Sequence, residues 1–320
     1  MSTINYRYVK CQLIFGNSRY DCLSNYVIGV WKVIMTQHQQ VSVIVPTLGL
    51  RKQYLIEALH SINSQTLLPI EIIVVNNVIL KLPPIELEYS SRVPIKIIDS
   101  VTKAGAPQAR NIGAALAKGN FLAFLDDDDL WGHTFLEAAM QAILVNEMDC
   151  CLGRIDKLEN GKINVFMNAT NLLTVRSFLI MNPGATGSNI LIKEEVFRKI
   201  GGFDTNLSPC EDRAFMVELI QSEYQVCVSS TGQAIMRMHD QERLTKSLTI
   251  NLGFRQFHRK YKNLMGWRDR IYSNWLFRKE EYRNKKTYPR LSVLMLLSLV
   301  ILVIGRRPSK IWAYPTAVAH

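Results

Sequence analysis

The chain has 320 residues, of which 48% are apolar and 20% are charged, with only 11 Pro and 17 Gly. A chain of this length can bury a sizeable core, and the composition excludes disordered, collagen-like and low-complexity proteins. The formal net charge is +11, and residues 251–310 alone carry 15 Lys/Arg against 3 Asp/Glu. We therefore expect a nearly neutral globular body with a basic C-terminal appendage, which favours an anionic partner such as a membrane surface.

The first 34 residues show no clear period, and charged side chains interrupt each apolar stretch there, which argues against a secretory signal. We predict that residues 1–34 are an extension outside the fold and that the folded domain covers residues 35–240. The cysteines form no CxxC pair and no zinc-ligand spacing, so we interpret them as free thiols in a reducing cytoplasm. They are Cys11, Cys22, Cys150, Cys151, Cys210 and Cys227.

Strand and helix patterns alternate from residue 41 onward. β-branched or apolar runs predict strands, and apolar residues at spacings of three and four predict amphipathic helices. This alternation predicts a doubly wound, mostly parallel α/β sheet, whose ligands bind at the carboxyl ends of the strands. The predicted strands are 41–47, 70–76, 95–99 and 121–125, and the predicted helices are 51–64, 107–118 with Gly119 as C-cap, and 135–145.

The C-terminal region, residues 241–320, has a different character. Residues 247–283 have a helical and strongly basic pattern, and residues 291–304 form an uncharged apolar run of 14 residues flanked by Lys and Arg. Spanning a bilayer takes roughly 20 residues. We therefore predict that the run lies in the membrane interface or dips partway into it. The alternative is a core helix that packs on the catalytic domain.

The strongest functional signal is a run of four aspartates, residues 126–129, directly after the strand predicted at 121–125. Adjacent carboxylates repel one another, so their pKa values rise unless cations neutralise them. Capping of the following helix by Asp129 would use one carboxylate and leave three unexplained. The run therefore indicates a Mg²⁺ or Mn²⁺ site that holds a phosphate, because hard cations prefer oxygen ligands.

A second signal is Gly201-Gly-Phe-Asp204, followed by Glu211 and Asp212 at the entry to a helix predicted over residues 214–221. Acidic residues at a helix N-terminus stabilise the helix dipole, which accounts for their charge. The dipole does not account for the Gly- and Pro-containing loop that precedes them. We expect this loop to present a carboxylate as a general base.

A third segment, Ala106-Pro-Gln-Ala-Arg-Asn-Ile-Gly113, lies at the start of the helix predicted at 107–118. Two interpretations of Arg110 stay open. It is a solvated surface charge, or it binds an anionic diphosphate together with the free amides of the helix start. The second interpretation applies if this helix start faces the carboxyl ends of the strands.

With these motifs in place, residues 41–240 resemble the inverting family 2 glycosyltransferases of the GT-A fold, bacterial enzymes that build surface polysaccharides. The resemblance is carried by the order and spacing of short stretches. These are Val41-Ser-Val-Ile-Val-Pro-Thr47, Pro69-Ile-Glu-Ile-Ile-Val-Val-Asn76, Ala109-Arg-Asn-Ile-Gly113, Phe124-Leu-Asp-Asp-Asp-Asp129, and Gly201-Gly-Phe-Asp204 with Glu211-Asp212. The resemblance implies a GT-A-like sheet followed by the basic helical appendage.

The resemblance also implies a role for each matched residue. Asp212 would be the catalytic base, with Glu211 beside it in the catalytic site. Asp128 would bind the metal, Asp129 is an equal candidate because the run of four leaves the register open, and His239 is a further candidate ligand. The residues implied in nucleotide-sugar binding are Pro46, Thr47, Asn76, Asn77, Arg110, Asp126 and Asp127.

The chain departs from the family pattern at one place. The family usually carries aspartates after the second strand, whereas this chain has Asn76 and Asn77. An asparagine still bonds to a uracil or a ribose, but it donates as well as accepts hydrogen bonds. The sequence therefore indicates a nucleotide-sugar donor but does not determine which nucleotide the donor carries.

We predict a metal-dependent, inverting glycosyltransferase of the hexosyltransferase type that acts in surface-polysaccharide synthesis. The expected partners are a nucleoside-diphosphate-sugar donor, a saccharide or lipid-linked acceptor, and Mg²⁺ or Mn²⁺. The alternatives are a catalytically silent sugar-nucleotide-binding subunit, which the intact acidic motifs disfavour, and a phosphotransferase, which the lack of a GxxxxGK[ST] motif disfavours. The basic tail adjoins an apolar run, which suits lipid better than nucleic acid, so we expect peripheral attachment to the cytoplasmic face of the cell membrane.

Overall fold

A computed structural model describes residues 39–77, 91–100, 105–167, 173–207, 209–238 and 249–285. Three predictions lie outside these residues: the extension at 1–34, the apolar run at 291–304, and the candidate metal ligand His239. Within the described ranges, the helices are too short or too polar to cross a bilayer. The four described cysteines are free thiols, as predicted.

Within the described residues, nine strands form one sheet. They are β1 (Val41–Thr47), β2 (Glu71–Asn76), β3 (Ile95–Asp99), β4 (Phe121–Phe124), β5 (Leu130–Trp131), β6 (Cys150–Glu159), β7 (Lys162–Met167), β8 (Ile190–Lys193) and β9 (Val226–Arg237). Their order is β3-β2-β1-β4-β8-β6-β9-β5, with β7 paired to β6. The first four strands in this order, β3, β2, β1 and β4, run parallel to one another. Strand β8 is antiparallel to both β4 and β6.

The described helices follow the strands in the alternating order predicted from the sequence. They are α1 (Lys52–Asn63), α2 (Gly105–Leu116), α3 (Phe135–Asn146), α4 (Val175–Ile180), α5 (Glu194–Lys199), α6 (Glu211–Gln221), α7 (Thr249–Tyr261) and α8 (Trp267–Lys285). The predicted α/β class with a helical, basic C-terminal region is therefore confirmed.

Strands β1 and β2 run side by side within the core, and every residue of these two strands is buried. Helix α2 approaches them closely at Gly113, where an added Cβ would lie 2.5 Å from Ile44 and 3.2 Å from Val75. Because glycine has no side chain, α2 lies directly on the strands. This contact sets the position of Arg110, one turn earlier in the same helix.

The predicted end of α2 was wrong. The helix ends at Leu116, and Gly119 is not its C-cap, since its φ does not lie in the left-handed region. Buried side chains of the neighbouring strands take the amides that would continue the helix. The Glu71 carboxylate accepts from the amide of Lys118 at 2.7 Å, and the Ser42 hydroxyl accepts from the amide of Gly119 at 2.9 Å.

The C-terminal helical pattern predicted over 247–283 contains one break. From residue 249 onward it forms α7 and α8, which are separated by residues 262–266. The break lets the side chain of Met265 enter the core beside Phe257 and Tyr261. Packing of apolar side chains therefore ends α7, although the local sequence pattern is helical on both sides of the break.

Candidate active site

The four aspartates 126–129 form a turn, here called the acidic turn, at the carboxyl end of β4, as predicted. The turn is held on both sides. The amide of Leu125 donates to the carbonyl of Ile44 in β1 at 3.1 Å, and β5, which follows the turn, pairs with β9. Asp129 does not cap the next helix, because α3 begins at Phe135 behind Thr134.

Two carboxylates of the acidic turn, those of Asp127 and Asp129, are buried. Asp127 accepts from the hydroxyl of Thr47 at 2.5 Å. Asp129 accepts from the hydroxyl of Ser188 at 2.7 Å and from the amide of Arg237 at 3.1 Å. Burial raises the pKa of Asp127 to about 6, and the charges of Asp128 and Asp126 add to this rise, while the Thr47 hydrogen bond and the charge of Arg51 oppose it. These two side chains hold the turn in place.

The other two carboxylates, those of Asp126 and Asp128, are more accessible, with 32% and 13% of their side-chain surface exposed. Asp126 pairs with Arg110 at 2.5 Å, and Asp128 pairs with Arg51 at 2.7 Å. Accessible and buried aspartates thus alternate along the turn. The accessible pair has the Asp-x-Asp spacing that the resemblance implies.

The donor set of the acidic turn fits a hard divalent cation. In the part of the chain that the structure describes, no group of three or more His, Cys, Asp or Glu side chains is arranged to hold a metal ion alone. Mg²⁺, however, is usually bound through one or two carboxylates, with substrate phosphates and water as the other ligands. Asp128 and Asp126 would supply such a pair, because they are the more accessible carboxylates of the turn, although each also pairs with an arginine. Asp129 is buried, and both its oxygens accept hydrogen bonds.

Arg110 lies within α2 and is buried, so it is not a solvated surface charge. Its guanidinium donates to Asp126 at 2.5 Å on one side and to Glu211 at 2.9 Å on the other. Burial acts to lower the pKa of the guanidinium, and the two carboxylates reverse this effect and raise it. Gly187 leaves room for the guanidinium of Arg110, because a Cβ added at Gly187 would lie 2.5 Å from the Arg110 Cζ. Arg110 therefore joins the acidic turn to the start of α6.

Helix α6 begins at Glu211, three residues before the predicted start, and so includes both acidic residues. Glu211 is buried against Arg110, while Asp212 is partly exposed and accepts from the amide of Arg213 at 2.6 Å. Burial, and then the charge of Glu211, raise the pKa of Asp212 to about 7. A carboxylate with a pKa near neutrality is suited to general-base catalysis.

The Gly-Gly-Phe-Asp motif anchors α2 through hydrogen bonds between Phe203 and Asn111. Gly201 and Gly202 have φ angles of 83° and 73°, which favour glycine. The side chain of Asn111, the neighbour of Arg110, accepts from the amide of Phe203 at 2.9 Å and donates to its carbonyl at 2.8 Å. This motif therefore fixes the helix that carries Arg110 rather than supplying a reacting group.

The residues implied in nucleoside binding meet at the same edge of the sheet. Pro46 and Thr47 end β1, and Thr47 stands in register with Asn76 of β2. The side-chain amide of Asn76 donates to Asp99 at 2.8 Å, and the backbone amide of Asn77 donates to the carbonyl of Thr47 at 2.8 Å. Their position beside the acidic turn agrees with the expectation, and their binding of a nucleotide stays a prediction.

Sequence reasoning missed three side chains that hold the acidic turn: those of Arg51, Ser188 and Arg237. Arg51 donates to Asp128 at 2.7 Å and to Asp127 at 3.1 Å. The guanidinium of Arg237 lies 4.5 Å from the centre of the Tyr54 ring and pairs with Glu57. None of the three belongs to a recognisable motif, because each meets the turn only through the folded sheet.

The chain is similar to known proteins in both sequence and fold. The family model described as Glycosyl transferase family 2 matches residues 42–201, a range that ends before Glu211. An uncharacterized glycosyltransferase of Haemophilus influenzae is 31% identical over 185 residues, 57% of this chain and 62% of that protein. The Escherichia coli UDP-Glc:alpha-D-GlcNAc-diphosphoundecaprenol beta-1,3-glucosyltransferase WfgD is 35% identical over 77 residues, 24% of this chain and 30% of that protein.

A solved structure extends the likeness to the fold. Residues 1–349 of S. aureus TarS, in complex with UDP-GlcNAc, match with a TM-score of 0.60 at 19% identity, covering 82% of this chain and 80% of that chain. The GT-A-like fold is therefore confirmed. The match to each of the two curated relatives covers less than two thirds of that relative's length.

Proposed function

Because the chain belongs to glycosyl transferase family 2, we propose that it transfers a hexose from a nucleoside-diphosphate-sugar to a hydroxyl group, with inversion at the anomeric carbon. The observation that carries this proposal is the Arg110 bridge, which brings carboxylates suited to a donor diphosphate beside carboxylates suited to an acceptor. The UDP-glucose in the name of WfgD and the UDP-GlcNAc in TarS support a UDP-sugar as donor. A saccharide or lipid-linked acceptor in surface-polysaccharide synthesis completes the proposal.

Asp212 accepts the proton of the acceptor hydroxyl. At the same time, the oxygen of that hydroxyl forms the new bond to the anomeric carbon. The bond from that carbon to the diphosphate breaks on the opposite face, which inverts the configuration. Asp128 and Asp126 would hold Mg²⁺ or Mn²⁺, and the ion would neutralise charge on the departing diphosphate. Thr47, with Asn76 beside it, lies where the nucleoside would bind.

Asp212 is a better base than its neighbour Glu211. The carboxylate of Glu211 is already engaged in an ion pair with Arg110 at 2.9 Å. The described structure gives Asp212 no ion-pair partner, and its pKa is raised to about 7. We therefore assign proton transfer to Asp212 and the orientation of Arg110 to Glu211.

A donor screen tests the proposal. The purified protein is incubated with UDP-glucose, UDP-N-acetylglucosamine, UDP-N-acetylgalactosamine and other nucleotide-sugars in Mg²⁺ or Mn²⁺, and release of the nucleoside diphosphate is measured. We expect release from at least one donor, faster with added acceptor. Tight binding of a nucleotide-sugar without release under any condition would instead support the catalytically silent subunit.

Activity should depend on pH through Asp212. A general base is active when ionised, so kcat/KM should rise with pH up to about 7 and level off above it, because the pKa of Asp212 is raised to about 7 by burial and then by Glu211. Below that pH, the rate should fall about tenfold per pH unit, since one proton blocks the base. The measurement is kcat/KM from pH 5 to pH 9 at constant ionic strength.

Asp204→Asn provides a matched control for this profile. Asp204 is the other acidic residue of the loop region before α6, and it pairs with Lys260 at 2.9 Å. Since this contact lowers the pKa of Asp204 despite partial burial, its titration lies far below neutrality. The variant should keep the fall of kcat/KM below about pH 7. If this fall is absent in Asp204→Asn, the base would be assigned to Asp204.

We further propose attachment to an anionic membrane through the C-terminal region. Leu252 and Trp267 expose 58% and 57% of their surface in this region, although both are large apolar residues. On α7, Arg255 and Arg259 follow Leu252 at spacings of three and seven, which places them on the same exposed face. Each Lys or Arg near an anionic leaflet contributes about 1 kcal/mol of attraction.

Truncation after Asn284 should release the protein from membranes. The truncated chain loses the apolar run 291–304 and its flanking Lys and Arg, and keeps all the residues of the candidate active site. We expect it in the soluble fraction, with donor hydrolysis retained. Co-sedimentation with phosphatidylcholine vesicles, with and without phosphatidylglycerol, measures the change. Equal sedimentation of both proteins would assign the attachment to the exposed face of α7 and α8 instead of the apolar run, and no binding by the full chain at low salt would contradict membrane attachment.

A further inference from the structure

Helix α7 contacts the turn that leads into the catalytic helix. The contact is closest at Gly253, where an added Cβ would lie 2.9 Å from the Cδ atom of Pro209, 3.0 Å from its nitrogen, and closer still to its carbonyl oxygen. Real Cβ atoms do not approach backbone this closely, so a side chain at Gly253 would displace Pro209. Pro209 stands three residues before Asp212.

The turn that α7 covers has a strained backbone. Cys210, between Pro209 and the first residue of α6, has a φ of 106°, a conformation that favours glycine. Its side chain makes no capping hydrogen bond to α6. A strained residue of this kind persists only where its surroundings hold it, and α7 contacts the preceding residue, Pro209.

Two further contacts hold the beginning of α6 against α7. The guanidinium of Arg213, which follows Asp212, lies 4.2 Å from the centre of the Phe257 ring and donates to the carbonyls of Phe178 and Leu179 in α4. The hydroxyl of Tyr261 lies 3.4 Å from the carbonyl oxygen of Ala214, near the start of α6, and donates to Glu218, further along the helix, at 2.8 Å. Arg213, directly after Asp212, and Pro209, three residues before it, therefore both contact α7.

We propose that α7 is part of the catalytic apparatus, and that Gly253 and Phe257 are positioning residues that hold the 209–212 turn in its strained form. Through this turn they aim the carboxylate of Asp212 at the acceptor hydroxyl. The C-terminal region thus has two functions, of which membrane attachment is one and alignment of the base is the other. The inference rests on the proposed function in one respect: the reaction uses a carboxylate of this turn.

Gly253→Ala tests the inference. The added methyl group should displace Pro209 and shift the carboxylate, and a misplacement of about 1 Å costs on the order of 100-fold in rate. We expect kcat for UDP release from UDP-glucose or UDP-N-acetylglucosamine, whichever supports turnover, to fall at least about tenfold. The dissociation constant for UDP, measured by calorimetry in Mn²⁺, should change far less than kcat, because Thr47 and Ser188 hold the acidic turn from other segments even if the Glu211–Arg110 contact shifts.

Gly266→Ala is the matched control. It makes the same change in the same region, but its Cβ would meet only Asp269 at 3.7 Å, an ordinary contact. Phe257→Leu is a second variant that keeps an apolar core residue and removes the ring beneath Arg213. This variant should also lose kcat with little change in UDP affinity, and its loss of kcat should be smaller than that of Gly253→Ala. It decides the question if Gly253→Ala does not fold.

Three results would overturn the inference: folded Gly253→Ala and Phe257→Leu proteins with unchanged kcat, a loss of UDP affinity in proportion to kcat, or an equal loss in Gly266→Ala. A failure of the base assignment is separable from these. If Asp212→Asn turns over normally while Gly253→Ala loses kcat, α7 still positions the turn, and the base is another residue on it, with Glu211 first.

Discussion

Replacing Asp212 with asparagine should lower kcat by about 10²–10⁴-fold, the usual loss when general-base catalysis is removed. The substitution keeps the size of the side chain, and its oxygen still accepts from the amide of Arg213, so α6 should begin at the same place. The donor would contact the acidic turn and the ends of β1 and β2, none of which changes. Donor affinity should therefore stay within about twofold.

Initial rates of nucleoside-diphosphate release at saturating donor measure this loss, and calorimetric titration with UDP measures the affinity. Asp204→Asn is again the matched control, because it makes the same chemical change at a carboxylate that is engaged by Lys260. Wild-type turnover by Asp212→Asn would place the base elsewhere, on Glu211 or Asp204.

Replacing Asp128 with alanine should abolish turnover without unfolding the protein. We propose that Asp128 is a ligand of Mg²⁺ or Mn²⁺ at the leaving diphosphate, so its loss removes the charge that neutralises this group. The turn itself should persist. The Thr47–Asp127 and Ser188–Asp129 hydrogen bonds hold it, and both are independent of the Asp128 side chain.

The control for this prediction is Asp149→Ala. Asp149 has a similar side-chain exposure, 20% against 13%, and a similar ion pair, with Lys193 at 2.9 Å. It should retain turnover, while the wild-type protein loses activity in excess EDTA and regains it with Mn²⁺. Full activity in EDTA, or normal turnover by Asp128→Ala, would contradict a metal-dependent donor site.

The first four strands of the sheet, β1 to β4, were predictable from sequence because their signals are local. The strand at Val41–Thr47 is a run of mostly β-branched residues that is buried along its whole length. Leu55, Ala58, Leu59 and Ile62 follow a helical spacing, and all four are buried in α1. The acidic turn was predicted at the carboxyl edge for the same reason, since it directly follows an apolar strand. These features depend on neighbours within a few residues.

The interior arrangement of the site depends on partners far along the chain, which no local pattern names. The amide of Gly119 is bound by Ser42, so the helix ends early although its own sequence continues the pattern. Arg110 reaches Glu211 only because Gly187 leaves space for its guanidinium. The contact of α7 with Pro209 likewise joins segments that are adjacent only in the folded chain.

The central claim is that one edge of the sheet binds the donor through the acidic turn and removes the acceptor proton through α6. Its most direct test measures UDP binding in Mn²⁺ and turnover side by side for the wild-type protein, Asp128→Ala and Asp212→Asn. We expect Asp128→Ala to lose both binding and turnover, and Asp212→Asn to bind UDP normally while its turnover falls by about 10²–10⁴-fold. Normal turnover by either variant, or a loss of UDP affinity in Asp212→Asn that equals its loss of rate, would contradict the division of roles.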